Sequence, residues 1–424
     1  MNNKTSNQRH STLLSLWRVG GEAVFLLLLL ASCHSSRYAT RYEPPQPVAP
    51  TPVVEVPTPV VQPVEVAPVD TRTPLQRGID QLLEESGVTQ FAQVAVAVYD
   101  VTADNMLYER GLYQRMRPAS TEKVVTAISA LDRLGPDYTL NTQLLTTAAV
   151  SGNTLKGDLY LKGVMDPLLS IADVRTLVAQ LKAAGITRID GRLLADASFK
   201  DADEYGWGWC WDDDNPVLTP LLCGGKPGLV AQVQAALRQT GITLGKGTAS
   251  ATAPASARPL ATFSRPLSEV LQPMLKESNN LCAEAVFYQM GRTRKSITDN
   301  LTTQSGEVIA DGSGLSLYNY QTAANFIRLL AHAARSERIL PALWNALPIA
   351  AVDGTLKKRM AGTPAEGVVR AKTGSVTAVS TLVGYTVQSS TGNLIAFAIL
   401  TQGVQRMAEG RDLQDQICVL LTSQ

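Results

Sequence analysis

Ser120-Thr121-Glu122-Lys123-Val124-Val125-Thr126-Ala127-Ile128-Ser129-Ala130-Leu131 opens a segment, running to Leu134, in which Val124, Ala127, Ile128 and Leu131 recur at helical spacing. Gly135-Pro136 ends it. On a helix, positions i and i+3 lie one above the other, so Ser120 in the first turn has Lys123 within reach of its hydroxyl. The helix N-terminus adds free N–H groups and a positive field where negative charge would form. A lysine at its ordinary pKa of about 10.4 is protonated and is no base at neutral pH. Burial beside the helix and a second cation nearby would both favour the neutral amine.

Two further strings follow in the chain. Ser278-Asn279-Asn280 separates the apolar helical pattern Leu267 to Leu275 from a second one, Leu281 to Met290, at a sharp corner able to turn polar side chains into a cleft. Ser278 there is placed to shuttle a proton to a leaving amine, and Asn280 to hold a substrate amide. A rival Ser-x-Asn, Ser151-Gly152-Asn153, lies between two strand patterns and reads as a hairpin turn. The third string, Lys372-Thr373-Gly374-Ser375, directly precedes a strand starting at Val379. Lys372 is the candidate second cation, its ammonium and the Thr373 hydroxyl suit a carboxylate, and Gly374 lets a substrate backbone come close. The N–H groups of Ser120 and Ser375 would form an oxyanion site, in which one lost donor typically costs about 100- to 1000-fold.

Splitting an amide needs a nucleophile, a base, an oxyanion site and a grip on the substrate. The chain has three histidines: His10, His34 and His332. A Ser-His-Asp triad would rest on His332 alone, which lies in the helical pattern Phe326 to Ala334 and reads as a partly buried helix histidine. No HExxH string occurs, and no metal or cofactor is expected. Lysine is the remaining base.

Around these strings the chain alternates strands and helices. Val94, Val96 and Val98 form a strand pattern, and Ala103-Asp104-Asn105 turns it into a second strand, Met106 to Arg110. Val379 to Gln388 and Leu394 to Thr401 form a hairpin, and a helix from Ala408 to Leu421 covers it. Between these ends come a strand at Thr154 to Gly163, a helix at Ile171 to Ala184, a strand at Thr187 to Ala195 and a helix at Leu229 to Thr240. The expected fold is α/β (α+β): a catalytic domain of residues 74–142 and 260–424 with a five-stranded antiparallel sheet flanked by helices, interrupted by a smaller α/β insertion domain, 143–259.

Residues 1–32 read as a secretory signal, because Lys4, Arg9 and Arg18 precede an apolar run, Ala23 to Ala31, too short to span a bilayer comfortably. The run ends in Leu30-Ala31-Ser32-Cys33, which resembles the lipobox of bacterial lipoproteins. Acyl chains on Cys33 would hold the chain to a membrane, at about 0.8 kcal/mol per buried methylene, and His34 in place of aspartate points to the outer membrane. Residues 33–73 hold nine of the 23 prolines and read as a tether; at about 3.1 Å per residue it would reach on the order of 100 Å. From Cys33 onward the chain carries 35 basic and 36 acidic side chains, a balance that excludes a nucleic-acid partner. Cys210 and Cys223 are far enough apart in sequence to form a disulfide in an oxidising compartment. Cys282 and Cys418 read as buried free thiols.

The three strings, in this order, resemble the penicillin-binding protein and serine β-lactamase superfamily, specifically the D-alanyl-D-alanine carboxypeptidases of the DacB type, peptidase family S13. Pro118-Ala119-Ser120, Gly157-Asp158-Leu159-Tyr160-Leu161, Asp166-Pro167, Asp311-Gly312-Ser313-Gly314-Leu315-Ser316 and Asp353-Gly354-Thr355-Leu356 extend the likeness over about Gln76 to Thr422. The resemblance implies a penicillin-binding protein/β-lactamase-like fold and periplasmic cleavage of the terminal D-Ala-D-Ala bond of peptidoglycan stem peptides through acyl-Ser120. Some relatives also cut cross-links. It implies further that β-lactams, including penicillins, inhibit by acylating Ser120. A β-lactamase and a catalytically silent wall-binding lipoprotein are the alternative functions.

Two departures stand out. Ser120 and Ser278 are 158 residues apart, a short spacing for this family, and the chain passes from Trp211-Asp212-Asp213-Asp214 almost directly to Gly224-Gly225, as if a subdomain were missing. Leu317 occupies a position where the family often has arginine. Asp166 either binds an amine of the stem peptide or caps a turn. The cluster Trp207, Trp209, Cys210 and Trp211 suggests sugar stacking or, alternatively, a disulfide-pinned loop covering the insertion.

Overall fold

The computed structural model describes residues 70–213, 215–291 and 307–424. The expected signal segment 1–32, Cys33 and the tether as far as residue 69 lie outside the described residues. Helix α1 (Pro74–Glu85) starts at a capping box, in which the Thr73 hydroxyl accepts from the Gln76 N–H and the Gln76 side chain accepts from the Thr73 N–H. Strands β1 (Gln93–Asp100) and β2 (Asn105–Arg110) form a hairpin, and α2 (Glu122–Leu134) follows a single 3-10 turn at Ala119–Thr121.

The next stretch builds two sheets of its own. Its elements are β3 (Thr139–Thr146), β4 (Val150–Ser151), β5 (Thr154–Leu155), β6 (Leu159–Lys162), α3 (Ile171–Ala183), β7 (Arg188–Ile189), β8 (Leu193–Asp196), β9 (Leu222–Cys223), β10 (Lys226–Pro227), α4 (Leu229–Gln239), β11 (Thr243–Leu244), β12 (Thr248–Ser250) and β13 (Arg258–Pro266). One sheet runs β12-β8-β6-β3-β13 and the other β11-β7-β5-β4. Each of the two long strands expected here is in fact two short ones, β5 with β6 and β7 with β8. Both change sheets at the same level, where the Gly191 N–H donates to the Gly157 carbonyl at 3.1 Å and the Arg192 N–H to Asp158 Oδ1 at 2.7 Å. Strands β3 and β13 pair antiparallel from Thr139–Pro266 to Thr146–Arg258, and the expected domain boundaries fall inside them. Leu159, Leu161, Val174, Leu177, Val233 and Leu237 are among the residues of this stretch's own apolar core.

The chain then forms α5 (Leu267–Lys276), α6 (Asn280–Gln289), α7 (Ala323–Ala334), α8 (Ile339–Ala346), β14 (Arg370–Val376), β15 (Val379–Val387), β16 (Leu394–Gln402) and α9 (Met407–Ser423). The principal sheet is antiparallel throughout, in the order β14-β15-β16-β1-β2. Side chains alternate across its central strands, as period 2 requires. Val94, Val96 and Val98 of β1 and Ile395, Phe397 and Ile399 of β16 face a core with Ile79 and Leu83 of α1 and Leu413 and Ile417 of α9. Ala95, Ala97, Ala396 and Ala398 face the other way, towards α2, α5, α6 and α7. Small side chains on that face let the helical layer lie close against the sheet.

Cys210 and Cys223 are both free, so the disulfide that their separation in sequence allowed is not formed. The Cys223 side chain packs against the apolar core of the β3–β13 stretch. The tryptophan loop is held by other means: Trp207 stacks on Tyr318 with ring centroids 4.3 Å apart, and Trp209 Nε1 donates to Asp311 Oδ2 at 2.8 Å. That loop is thus fastened to the Asp311–Tyr320 segment and not pinned over the insertion.

Candidate active site

The turn before α2 presents Ser120, and the helix carries Lys123 underneath it. Ala119 has φ +48°, in the left-handed region, and a Cβ on Gly314 would overlap the Ala119 carbonyl oxygen. The two backbones pack too closely there for any side chain. Lys123 is fully buried. Its Nζ lies 3.0 Å from Ser120 Oγ, 2.8 Å from Asn280 Oδ1 and 2.7 Å from the Ser313 carbonyl oxygen.

Burial pushes the Lys123 amine down to about 8, against the opposing pull of the Asp311 and Glu284 carboxylates. These carboxylates belong to a buried polar layer under the lysine. Asp311 accepts from the N–H groups of Gly314 and Ser316, Asn319 Nδ2 and Trp209 Nε1. Glu284 Oε1 accepts from the Gly312 N–H at 3.1 Å, and burial followed by the Asp311 charge pushes its carboxyl up to about 8. Glu122 takes both its hydrogen bonds from Gln321 Nε2 and is raised well above the usual carboxyl range by the same two causes.

The second string forms the corner between α5 and α6. Ser278 has φ +62°, strained for a residue with a Cβ, and Asn279 Oδ1 caps α6 by accepting from the Cys282 N–H at 3.0 Å. Asn280 is the first residue of α6. With its Oδ1 taken by Lys123, its Nδ2 is the donor left for a ligand. The Ser278 hydroxyl accepts from Lys372 Nζ at 2.9 Å, which also donates to the Thr373 carbonyl at 2.7 Å. Burial, and then the Lys123 charge, pushes the Lys372 amine well below its usual range.

Strand β14 lies directly against the nucleophile turn. A Cβ on Gly374 would overlap Thr381 Oγ1 and sit 2.6 Å from the Pro118 carbonyl oxygen. The missing side chain at Gly374 therefore gives room to the Pro118–Thr121 turn, and not to a substrate backbone as the sequence suggested. Ser120, Ser278, Thr373, Gly374 and Ser375 line one cleft of about 570 Å³. Asn280 lines an adjacent hollow beyond Ser278. All three strings thus converge.

Asp166 lies outside both linings. Its side chain is fully buried, with Oδ1 accepting from the Leu168 N–H at 3.0 Å and Oδ2 3.5 Å from Arg265 Nε. Of its two possible roles this geometry is that of the turn cap. Ser151-Gly152-Asn153 is the turn between β4 and β5. His332 is half exposed on α7 and pairs with Asp132 at 3.0 Å, more open than the partly buried position expected. Several residues of the site had no role in the sequence reading: Glu122, Glu284, Asp311 and Ser313 beneath Lys123, and Thr355, Lys358, Arg359 and Arg411 along the cleft. The strings around Asp311 and Asp353 were visible signals, but nothing local in them points at a lysine far away in the chain.

Residues 75–221 and 228–424 match the family model described as D-Ala-D-Ala carboxypeptidase 3 (S13) family. The break between the matched parts falls at the β9–β10 hairpin. A D-alanyl-D-alanine carboxypeptidase of Actinomadura sp. (strain R39) is 29% identical over 462 aligned positions, covering 82% of this chain and 84% of the relative. Since 82% of 424 residues falls well short of 462 positions, that relative carries segments this chain lacks. In fold, the chain resembles penicillin binding protein 4 (dacB) from Haemophilus influenzae, with TM-score 0.69 and 21% identity over 80% of this chain and 99% of that one. A penicillin G-acylated predatory endopeptidase from Bdellovibrio bacteriovorus, solved with an immunity protein, follows at TM-score 0.52 and 21% identity, over 77% and 91%. With a family match across nearly all of the folded chain, the chain belongs to the D-Ala-D-Ala carboxypeptidase 3 (S13) family.

Proposed function

We propose that Ser120 is the nucleophile, and Lys123 the base, of a serine-type D-Ala-D-Ala carboxypeptidase acting on peptidoglycan stem peptides. One observation carries the assignment: a buried Lys123 amine, lowered to about 8, within 3.0 Å of the Ser120 hydroxyl. A neutral amine has two N–H donors and one lone pair. Asn280 Oδ1 and the Ser313 carbonyl occupy the donors, which directs the lone pair at Ser120.

The terminal carboxylate of the peptide meets Thr373 and Ser375 in the cleft, and its charge offsets the desolvation of the buried Lys372 ammonium behind them. A charged Lys372 in turn favours neutral Lys123. Ser120 Oγ attacks the carbonyl carbon of the penultimate D-alanine and its proton passes to Lys123. The N–H groups of Ser120 and Ser375 hold the oxyanion. The C–N bond then breaks, D-alanine leaves as the amine after receiving a proton through Ser278, and water hydrolyses the Ser120 ester with Lys123 again as base. Asn280 Nδ2 donates to the stem-peptide amide. Penicillins acylate the same serine.

The same proposal takes residues 74–142 and 260–424 as the catalytic domain and 143–259 as an insertion. It places the enzyme in the periplasm after removal of residues 1–32, held to the outer membrane by acyl chains on Cys33; fatty-acid labelling that persists in Cys33→Ser would remove the anchor from it. The catalytic reading is tested by Ser120→Ala, expected to abolish D-alanine release from a stem pentapeptide and the covalent penicillin adduct while the circular dichroism of the fold is kept. Unchanged release would refute it.

A further inference from the structure

The hydroxyl hydrogen of Thr373, suited by sequence to a carboxylate, is already placed: Thr373 Oγ1 donates to Thr355 Oγ1 at 2.8 Å. A hydroxyl has a single O–H donor and two lone pairs. So committed, Thr373 turns only lone pairs towards an anion beside it. Thr355 lines the same cleft, and its own hydroxyl hydrogen has no acceptor among the described residues. The free donor of the pair is therefore on Thr355.

Two sets of bonds fix where that hydroxyl stands. Lys276 ends α5, two residues before Ser278. Its Nζ donates to the Leu347 carbonyl at 2.5 Å and to both carboxylate oxygens of Asp353, at 2.8 and 2.6 Å, and Asp353 Oδ1 also accepts from the Ile349 N–H at 2.8 Å. Gly354 follows at φ +58°, where a Cβ would come within 2.7 Å of the Lys276 carbonyl oxygen. The chain leading into Thr355 is thus pressed onto the end of the helix that presents Ser278. On its other side the same segment is keyed to β14: the Ala371 N–H donates to the Pro348 carbonyl at 3.0 Å, and the Ala350 N–H to the Val369 carbonyl at 3.0 Å. Thr355 is held between the second and third strings before a ligand arrives, which lowers the ordering cost of binding one.

We propose that Thr355 is a substrate-binding residue whose hydroxyl donates to the terminal carboxylate of the stem peptide, while Thr373 acts as a positioning residue that orients it. This rests on Ser120 being the acylated nucleophile. One carboxylate oxygen takes the Thr355 hydrogen and the other takes that of the Ser375 hydroxyl, which lines the same cleft. A carboxamide in that place offers one acceptor oxygen and turns an amino group towards the second donor. The two hydroxyls thereby select a free C-terminus over a blocked one, and the Lys276–Asp353 pair keeps Thr355 in register with the reacting end of the cleft.

The test measures, by mass spectrometry, the second-order rate of adduct formation with a penicillin, whose carboxylate stands in for that of the peptide, and with the same penicillin amidated at that carboxylate. The kcat/KM for D-alanine release from a stem pentapeptide is read beside them. Thr355→Val keeps the side-chain shape and removes the hydroxyl. It should lower the penicillin rate and the pentapeptide kcat/KM about tenfold, the value of one hydrogen bond to a charged group, and the amidated penicillin's rate far less. Thr355→Ser returns the hydroxyl and should recover most of the loss. Lys357→Ala, exposed and outside the cleft lining, is the control. A penicillin rate unmoved in Thr355→Val, an equal fall with both penicillins, or no recovery in Thr355→Ser each overturns the proposal. Lack of a penicillin adduct in the parent would instead overturn the nucleophile assignment, so the two failures are distinct.

Discussion

Lys123 Nζ and Asn280 Oδ1 stand 2.8 Å apart although 157 residues separate them in the chain. That bond ties the first string to the second, as the Lys372–Ser278 bond at 2.9 Å ties the third to it. Because both amines are fully buried, neither can exchange its partner for water. The network holds its geometry before any ligand arrives, which is the condition for electrostatic preorganisation.

With the Lys123 amine held at about 8, the free base grows as pH rises through that value. The second-order rate of penicillin acylation should therefore climb between about pH 6 and 9 and level off above, with its midpoint near about 8. Lys123→Met should lower the rate on the order of 100- to 10,000-fold and erase the inflection. A profile that is flat in the parent enzyme counts against Lys123 as the base.

Glu284 is raised from a carboxyl's 4.5 to about 8. Over that window the folded protein keeps a proton that the unfolded chain has released, so stability is fullest below about pH 4.5 and falls as pH rises towards about 8. Glu284→Gln keeps an acceptor for the Gly312 N–H and removes the titration. Thermal melts from pH 5 to 8 should show a shallower decline in Tm for the variant, by a few degrees across the range. Parallel slopes would mean that Glu284 titrates alike in both states.

Gly374→Ala forces a methyl group into Thr381 Oγ1 and towards the Pro118 carbonyl. Overpacking of this kind costs about 1–3 kcal/mol. The displaced turn carries Ser120, so acylation should fall by more than the loss of folded protein explains. A variant that melts normally and acylates at the parental rate would show that the strand and turn can separate freely.

Because Cys210, Cys223, Cys282 and Cys418 are all free, each of these four should be alkylated as a thiol in a sample denatured with no reductant, as read by peptide mass spectrometry. A reducing agent should leave Tm unmoved. Two missing thiols, and a Tm that drops on reduction, would restore the bridge between Cys210 and Cys223.

Local patterns carried most of the fold. The valines of β1, the apolar spacing of α2 and the turn between β15 and β16 each depend on neighbours in sequence, and each was legible. Ser278 was legible as a corner because the apolar periodicity of two helices stops on either side of it. What could not be read depends on contacts between distant segments. The side on which Gly374 lacks a Cβ is set by Pro118, and the carboxylates under Lys123 come from α2, α6 and the Asp311 loop. The cysteine spacing carried no information on whether the two Cα atoms could come within about 7 Å. The breaks at Gly157 and Gly191 escaped notice for a similar reason: each is defined by its hydrogen bond to the other.

Strand β1 is paired on one side with β16, so the centre of the principal sheet joins a strand made early in synthesis to one made near the end. Until Leu394 to Gln402 has emerged, β1 lacks that neighbour and β14 cannot be brought to the turn at Pro118. A nascent chain thus holds a serine and a lysine but no groove, and hydrolytic competence arrives only with the final few dozen residues. The topology itself therefore delays the assembled cleft until its last-made strand is present.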